Sequence, residues 1–193
     1  MIEYITGEVT ELTPASAVIE CMGIGYMLNI SLYTYSALHK DASAKLYVYE
    51  AIREDAHLLF GFIDRREREL FLHLISVSGV GPNTARMILS SLSPAELEQT
   101  IVSENLNMLK AVKGIGAKTA QRIIVDLKDK IKRGDDSLLI SASASSQTGE
   151  EAEAALVMLG FGQVPVRKVV QKLLAEHPES TVESVIKQAL KML

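Results

Sequence analysis

Little in this sequence supports covalent or metal chemistry. With one cysteine, Cys21, an internal disulfide is excluded and a reducing cytosol is the simple expectation. Cys21 lies in the apolar run AVIECM and reads as a buried, inert thiol rather than a nucleophile. The histidines at 39, 57, 73 and 177 are scattered and lack ligand spacing, so no zinc site is expected, and no Ser-His-Asp or Cys-His set can be assembled. No run reaches the roughly 18 apolar residues of a membrane span. The opening MIEYITGEV has no basic n-region, so a signal peptide is not expected and a cytoplasmic protein is.

The 193 residues, 48% hydrophobic, suffice for one large domain or two or three small ones. The net charge of −4 conceals a pattern. Residues 1–64 carry 3 basic and 9 acidic side chains, residues 65–133 carry 12 and 7, and residues 134–193 carry 5 and 8. The basic middle block is the electrostatic footprint expected of phosphate binding, although a solvated helical face could show the same excess.

The pattern predicts an α+β multidomain chain. Alternating or β-branched segments at 3–12, 17–22, 26–32, 46–52 and 58–63 predict five strands, with a helical turn near 35–39. Five short strands in 1–63 suggest a small closed barrel such as an OB-fold. Residues 64–133 predict helices at 65–76, 82–90, 94–103, 105–111 and 118–133, with Asp64 as an N-cap and Ser93-Pro94-Ala95-Glu96 as a capping box. Residues 134–148, small and serine-rich, predict a flexible linker. Residues 149–193 predict three short helices at 150–159, 164–175 and 182–193, the first ended by Gly160 and the second begun by Pro165. So small a bundle has a thin core and room for an apolar face that meets a partner.

The functional signal is an internal repeat. Residues 74–89 (LISVSGVGPNTARMIL) and 109–124 (LKAVKGIGAKTAQRII) are identical at seven of sixteen positions, 35 residues apart. Each copy reads as helix, Gly-aliphatic-Gly hairpin, helix. Paired glycines permit positive φ and a close approach of phosphate to the main chain. The hairpin amides and the next helix's first N–H groups then converge on one anion, aided by the helix dipole. The candidate DNA-binding residues are Gly79, Val80, Gly81, Asn83 and Thr84 in the first copy, and Gly114, Ile115, Gly116, Lys118, Thr119 and Arg122 in the second. Such helix-hairpin-helix motifs read the backbone rather than the bases, and a tandem pair could straddle one minor groove. A P-loop is rejected, because Val112 and Ala117 stand where it needs glycine and no strand precedes.

Glu54 and Asp55 sit between two apolar strands. Ordinary turn chemistry accounts for them. A nuclease metal site is poorly supported, as no further carboxylates cluster there. A third reading is a negatively charged tip that repels phosphate.

The order IREDAHLLFGF, VSGVGPNTA, VKGIGAKTAQRIIVDLKDK, polar segment and small helical domain resembles the RuvA family of bacterial Holliday-junction-binding proteins. The resemblance spans the chain and is strongest over 53–62 and 70–130. It implies a non-catalytic, cofactor-free subunit of DNA recombination, repair and the SOS response. It further implies a homotetramer with the OB-folds at its centre, one or two tetramers gripping four DNA arms in an open square cross. Glu54 and Asp55 would form an acidic pin at the crossover, and a UBA-like three-helix domain at 149–193 would dock the RuvB ATPase. RuvC resolvase would be a further partner. The chain departs from the family at Asn83, where lysine is common, and at Ala117, where a basic residue often stands. Fewer cations imply a shallower salt dependence.

Overall fold

The computed structural model describes the backbone of residues 1–139, 144–177 and 179–193, and side chains over 1–131, 148–177 and 179–193. It divides into two compact units, Met1–Lys132 and Arg133–Leu193.

The first unit begins with the expected barrel. Strands β1 (Tyr4–Leu12), β2 (Ser16–Cys21), β3 (Ile24–Ile30), β4 (Ser43–Ile52) and β5 (His57–Phe62) close in the order β1-β2-β3-β5-β4. The β3–β5 pair is parallel and the others are antiparallel. Closure leaves no long open edge to attract another strand. Val9, Ile19, Leu28 and Leu46 fill the interior. Helix α1 (Leu32–Ala37) begins where the sequence extended the third strand, because the Ser31 side chain caps it by accepting the Thr34 N–H. Cys21 is half-buried at the rim rather than fully inside.

Helices α2 (Arg65–Ile75), α3 (Pro82–Ser91), α4 (Pro94–Val102), α5 (Leu106–Ala111) and α6 (Ala117–Leu139) follow. Asp64 caps α2, and the capping box at Ser93 and Glu96 starts α4, both as expected. The sequence drew a boundary after residue 63, but packing continues across it. Ala51 of β4 and Phe60 and Phe62 of β5 belong to the same apolar cluster as Leu70, Phe71, Leu74, Ile88 and Ile123 of the helices. Phe71 lies with its ring centroid 4.8 Å from that of Phe62 and 5.3 Å from that of Phe60. Polar links reinforce the join. Buried Glu67 on α2 accepts hydrogen bonds from the hydroxyls of Ser31 and Thr34 and from the Ile63 N–H. Arg86 on α3 donates to the carbonyl of Ala15 at 2.8 Å. A buried carboxylate is tolerated only with such partners.

Helix α6 is longer than expected. It continues through Leu139 instead of ending at Arg133, and α7 (Ala144–Met158) starts before the predicted 150. Residues 134–139 and 144–148, read as linker, therefore have helical backbone; residues 140–143 lie outside the described residues. Gly134 acts here as a tolerated helix residue, not a stop. In the second unit, α7, α8 (Gln163–Glu176) and α9 (Val182–Ala189) surround a small core of Ala152, Leu156, Val166, Val170, Leu173, Val185 and Ala189. Gly160, at φ +99°, ends α7 as expected. Helix α8 starts at Gln163, so Pro165 falls in its first turn rather than at its first position.

Candidate nucleic-acid interface

The two glycine hairpins adopt one local structure. In each, an apolar residue is buried in the shared core: Val80 is 5% exposed and Ile115 6%. Each such side chain contributes about 1.5–3 kcal/mol of burial to holding its loop. Their N–H groups are engaged internally, Val80 with the carbonyl of Val77 at 3.0 Å and Ile115 with that of Val112 at 3.1 Å. The sequence reading counted these two among the phosphate-facing amides. The structure makes them anchors, because a loop without a buried plug would not hold its amides in place.

The glycines do two different jobs. Gly79 (φ +93°) and Gly114 (φ +88°) occupy the left-handed region that L-residues disfavour. Gly81 does not: at φ −88° and ψ 170° it is ordinary extended backbone, and Gly116 is likewise outside the positive-φ set. A Cβ built on Gly81 or Gly116 would meet no atom within 4 Å. Nothing inside the fold demands glycine there. The missing side chain matters only to something arriving from outside.

Both second glycines start a helix. Their carbonyls accept the first helical bonds, from Ala85 and Ala120, each at 2.9 Å. Gly81 offers no side chain to cap the free N–H groups of the first turn. By contrast α1, α2, α4, α5 and α9 are capped by Ser31, Asp64, Ser93, Asn105 and Thr181. Among the described residues, the N–H groups of Gly79, Gly81, Gly114 and Gly116 have no acceptor. The amides of Asn83 and Thr84, and of Lys118 and Thr119, join them at the positive ends of α3 and α6.

Lys118 is exposed in the first turn of α6, which contains no acid. A cation at that end of a helix is disfavoured by the dipole, and Arg122 one turn on adds like-charge repulsion. A bound anion relieves both. Arg122 also spans the repeat, its guanidinium donating to the Ser78 carbonyl at 3.5 Å, so the two hairpins are neighbours. Asn83 is exposed, and Thr84 and Thr119 are half-buried. Exposed Lys113, directly before Gly114, and Lys110 on α5 add positive charge beside the second hairpin. At the 35-residue offset they stand opposite Ser78 and Ile75, so the repeat itself does not signal them.

Glu54 and Asp55 are exposed at the β4–β5 turn, closed by the Arg53 N–H on the Ala56 carbonyl at 2.8 Å. Strand β1 pairs with β4 only as far as Tyr47, and β3 pairs with β5 from Leu59 to Gly61. Residues 49–52 and 57–58 therefore form a two-stranded arm beyond the closed barrel, with the acidic pair at its end. At its base Glu50 accepts from the Ile2 N–H and lies 3.2 Å from His57 Nε2. The Ile2 hydrogen bond, with His57, holds the Glu50 carboxyl below the usual carboxylate range. Among the described residues no three metal-ligating side chains gather, at the arm or elsewhere, and no helix is long and apolar enough to cross a membrane.

Known families match the chain segment by segment. The family models for the RuvA N terminal domain, the SAM-like helix-hairpin-helix tandem and the RuvA C-terminal domain match residues 1–61, 71–129 and 148–193. The Holliday junction branch migration complex subunit RuvA of Bacteroides fragilis is 61% identical over 201 residues. Its counterparts in Parabacteroides distasonis and Porphyromonas gingivalis are 60% and 50% identical, and all three alignments cover 100% of both chains.

Proposed function

We propose that this chain, which belongs to the RuvA family, binds four-way (Holliday) junction DNA and serves branch migration in recombination and repair, without catalytic activity of its own. The observation that carries the reading is the repeated uncapped helix start, where Gly81 and Gly116 leave open space that the fold itself does not need. Phosphate fills that space, and the amides around it bind backbone irrespective of base sequence.

The finer reading has four parts. The hairpins hold the arms in an open, square-planar cross. The arm bearing Glu54 and Asp55 is a pin that repels phosphates at the crossover. Four copies form a closed ring, alone or as a pair of rings, because four equivalent arms call for four equivalent grips. Residues 149–193 dock the RuvB ATPase. Exposed Met158, Leu159 and Val164 at the α7–α8 turn support this last part, since they present apolar surface on a unit with a small core. RuvC resolvase acts on the same junction, and the site of action is the cytoplasm.

The test is a gel-shift competition between a synthetic four-way junction and a linear duplex of the same arm sequence in magnesium-free buffer. Strong preference for the junction is expected. Equal affinity for both overturns the junction reading and leaves a general duplex-binding accessory.

A further inference from the structure

The two hairpins share a fold but not a charge. Every basic residue of the second copy faces a neutral residue of the first at the 35-residue offset: Lys110 against Ile75, Lys113 against Ser78, Lys118 against Asn83, Arg122 against Met87. The first copy holds one cation, Arg86, whose counterpart is Gln121. Arg86 is turned away from the hairpin, its guanidinium held by the carbonyls of Ala15 at 2.8 Å and Ile30 at 3.5 Å. It joins α3 to the barrel and is not presented to a ligand. Two cations of α6 reach the first copy, Arg122 at the Ser78 carbonyl and Lys130 at the Ser76 hydroxyl, each at 3.5 Å. Lys110, Lys113 and Lys118 are exposed and form no ion pair among the described residues.

We propose that the two hairpins grip DNA unequally: Lys110, Lys113, Lys118 and Arg122 make the second hairpin the electrostatic contact that sets the salt dependence, while the first binds through main-chain amides and sets position. This rests on the DNA-binding reading above and assigns Lys110 and Lys113 to the interface. The physics separates the roles. A lysine on a phosphate displaces condensed counterions, so its contribution falls as salt rises. An amide on a phosphate carries no net charge and displaces far fewer. Lys113 directly precedes Gly114, so the second hairpin carries a cation despite Ala117.

The experiment measures affinity for a fluorescein-labelled four-way junction by anisotropy across a series of potassium chloride concentrations, using the full chain. Lys113→Ala and Lys110→Ala should each reduce the slope of log K against log salt by roughly 0.9 per bound subunit. Gly81→Ala, whose backbone suits any residue, should weaken binding and leave the slope at the wild-type value. Ser78→Lys with Asn83→Lys should steepen it. Wild-type slopes in both lysine variants, or a slope reduced as much by Gly81→Ala, overturn the inequality while junction binding stands. Failure of the wild type to bind the junction at low salt overturns the underlying function as well.

Discussion

The tripeptide Gly-x-Gly occurs three times as a link between helices, twice in the first unit and once in the second, and the third copy shows what the first two need. Gly160-Phe161-Gly162 shares their outward features: Gly160 has φ +99°, Phe161 packs on its unit's core, and Gly162 begins α8 without a side-chain cap. The difference lies in the amides. At the third loop Phe161 reaches back to Leu156 at 3.2 Å, and Gly160 donates to Val157 at 3.0 Å, whereas the N–H groups of Gly79 and Gly114 have no acceptor among the described residues, so the first glycine's amide is spent terminating α7. Three residues after the last glycine stands Pro165, where the other two loops have Thr84 and Thr119. Proline removes the amide that would face an anion, and its ring lies 3.4 Å from where a Cβ of Gly162 would be. On the proposed function, the phosphate grip is therefore the unspent amides around the tripeptide rather than the tripeptide itself.

Substituting both glycines in one loop at a time breaks the comparison most directly. Gly114→Ala with Gly116→Ala places a Cβ at positive φ, at a cost of about 1–2 kcal/mol, and a second Cβ where phosphate must sit. Junction binding should fall by roughly a hundredfold or more, since several charge-assisted contacts are lost together. The barrel should keep its circular dichroism. The same pair at Gly160 and Gly162 should leave junction affinity unchanged. A folded double variant at 114 and 116 that binds like wild type refutes the assignment.

The next effect is on the frame that holds the hairpins. Burial pushes the Glu67 carboxyl above its ordinary range, against the opposing pull of its hydrogen bonds from Ser31, Thr34 and Ile63. Glu67→Ala leaves those donors unsatisfied and should cost about 2–4 kcal/mol. The raised value fixes the sign with pH. The native state holds the proton more tightly, so the group's contribution is fully present below the unfolded carboxyl value near 4.3 and is lost as pH rises through the folded value. Urea midpoints should therefore show Glu67→Gln gaining on wild type as pH is raised from about 4 to about 8. A constant gap across that range would mean that the carboxyl does not titrate within it.

Glu67 also marks the limit of what the sequence discloses. In the run RRERE it looks like any solvated helix residue; its partners Ser31 and Thr34 come from 36 and 33 residues earlier in the chain. Arg86 misleads in the same way, a cation beside a phosphate motif that the fold commits to the barrel. The five strands and the helical order were legible because alternation and capping are local signals. So were the hairpins, because a repeat at fixed spacing is visible without a fold. The core shared by Phe60, Phe62 and Phe71 was not, since it depends on how the barrel meets α2. Nor were the separate duties of the two glycines in each loop, which only backbone angles and the open space around Gly81 and Gly116 distinguish.

The smallest expected effect sets attraction against repulsion. On the proposed function, Lys113 and Lys118 would meet the same polyanion as Glu54 and Asp55, with opposite sign. At the arm, Glu50 is satisfied internally by His57 and the Ile2 N–H, whereas Glu54 and Asp55 have no ion pair among the described residues. Two exposed charges several ångströms from phosphate, in water, are worth about 1 kcal/mol at most. Glu54→Gln with Asp55→Asn should therefore tighten junction binding by about two- to fivefold, more at low salt than at high, and change linear duplex affinity less. Branch migration with the motor should change as well, since a neutral tip no longer drives strands apart. Weaker junction binding would mean that the carboxylates hold a cation or a structural contact, and the arm would then be a brace rather than a pin.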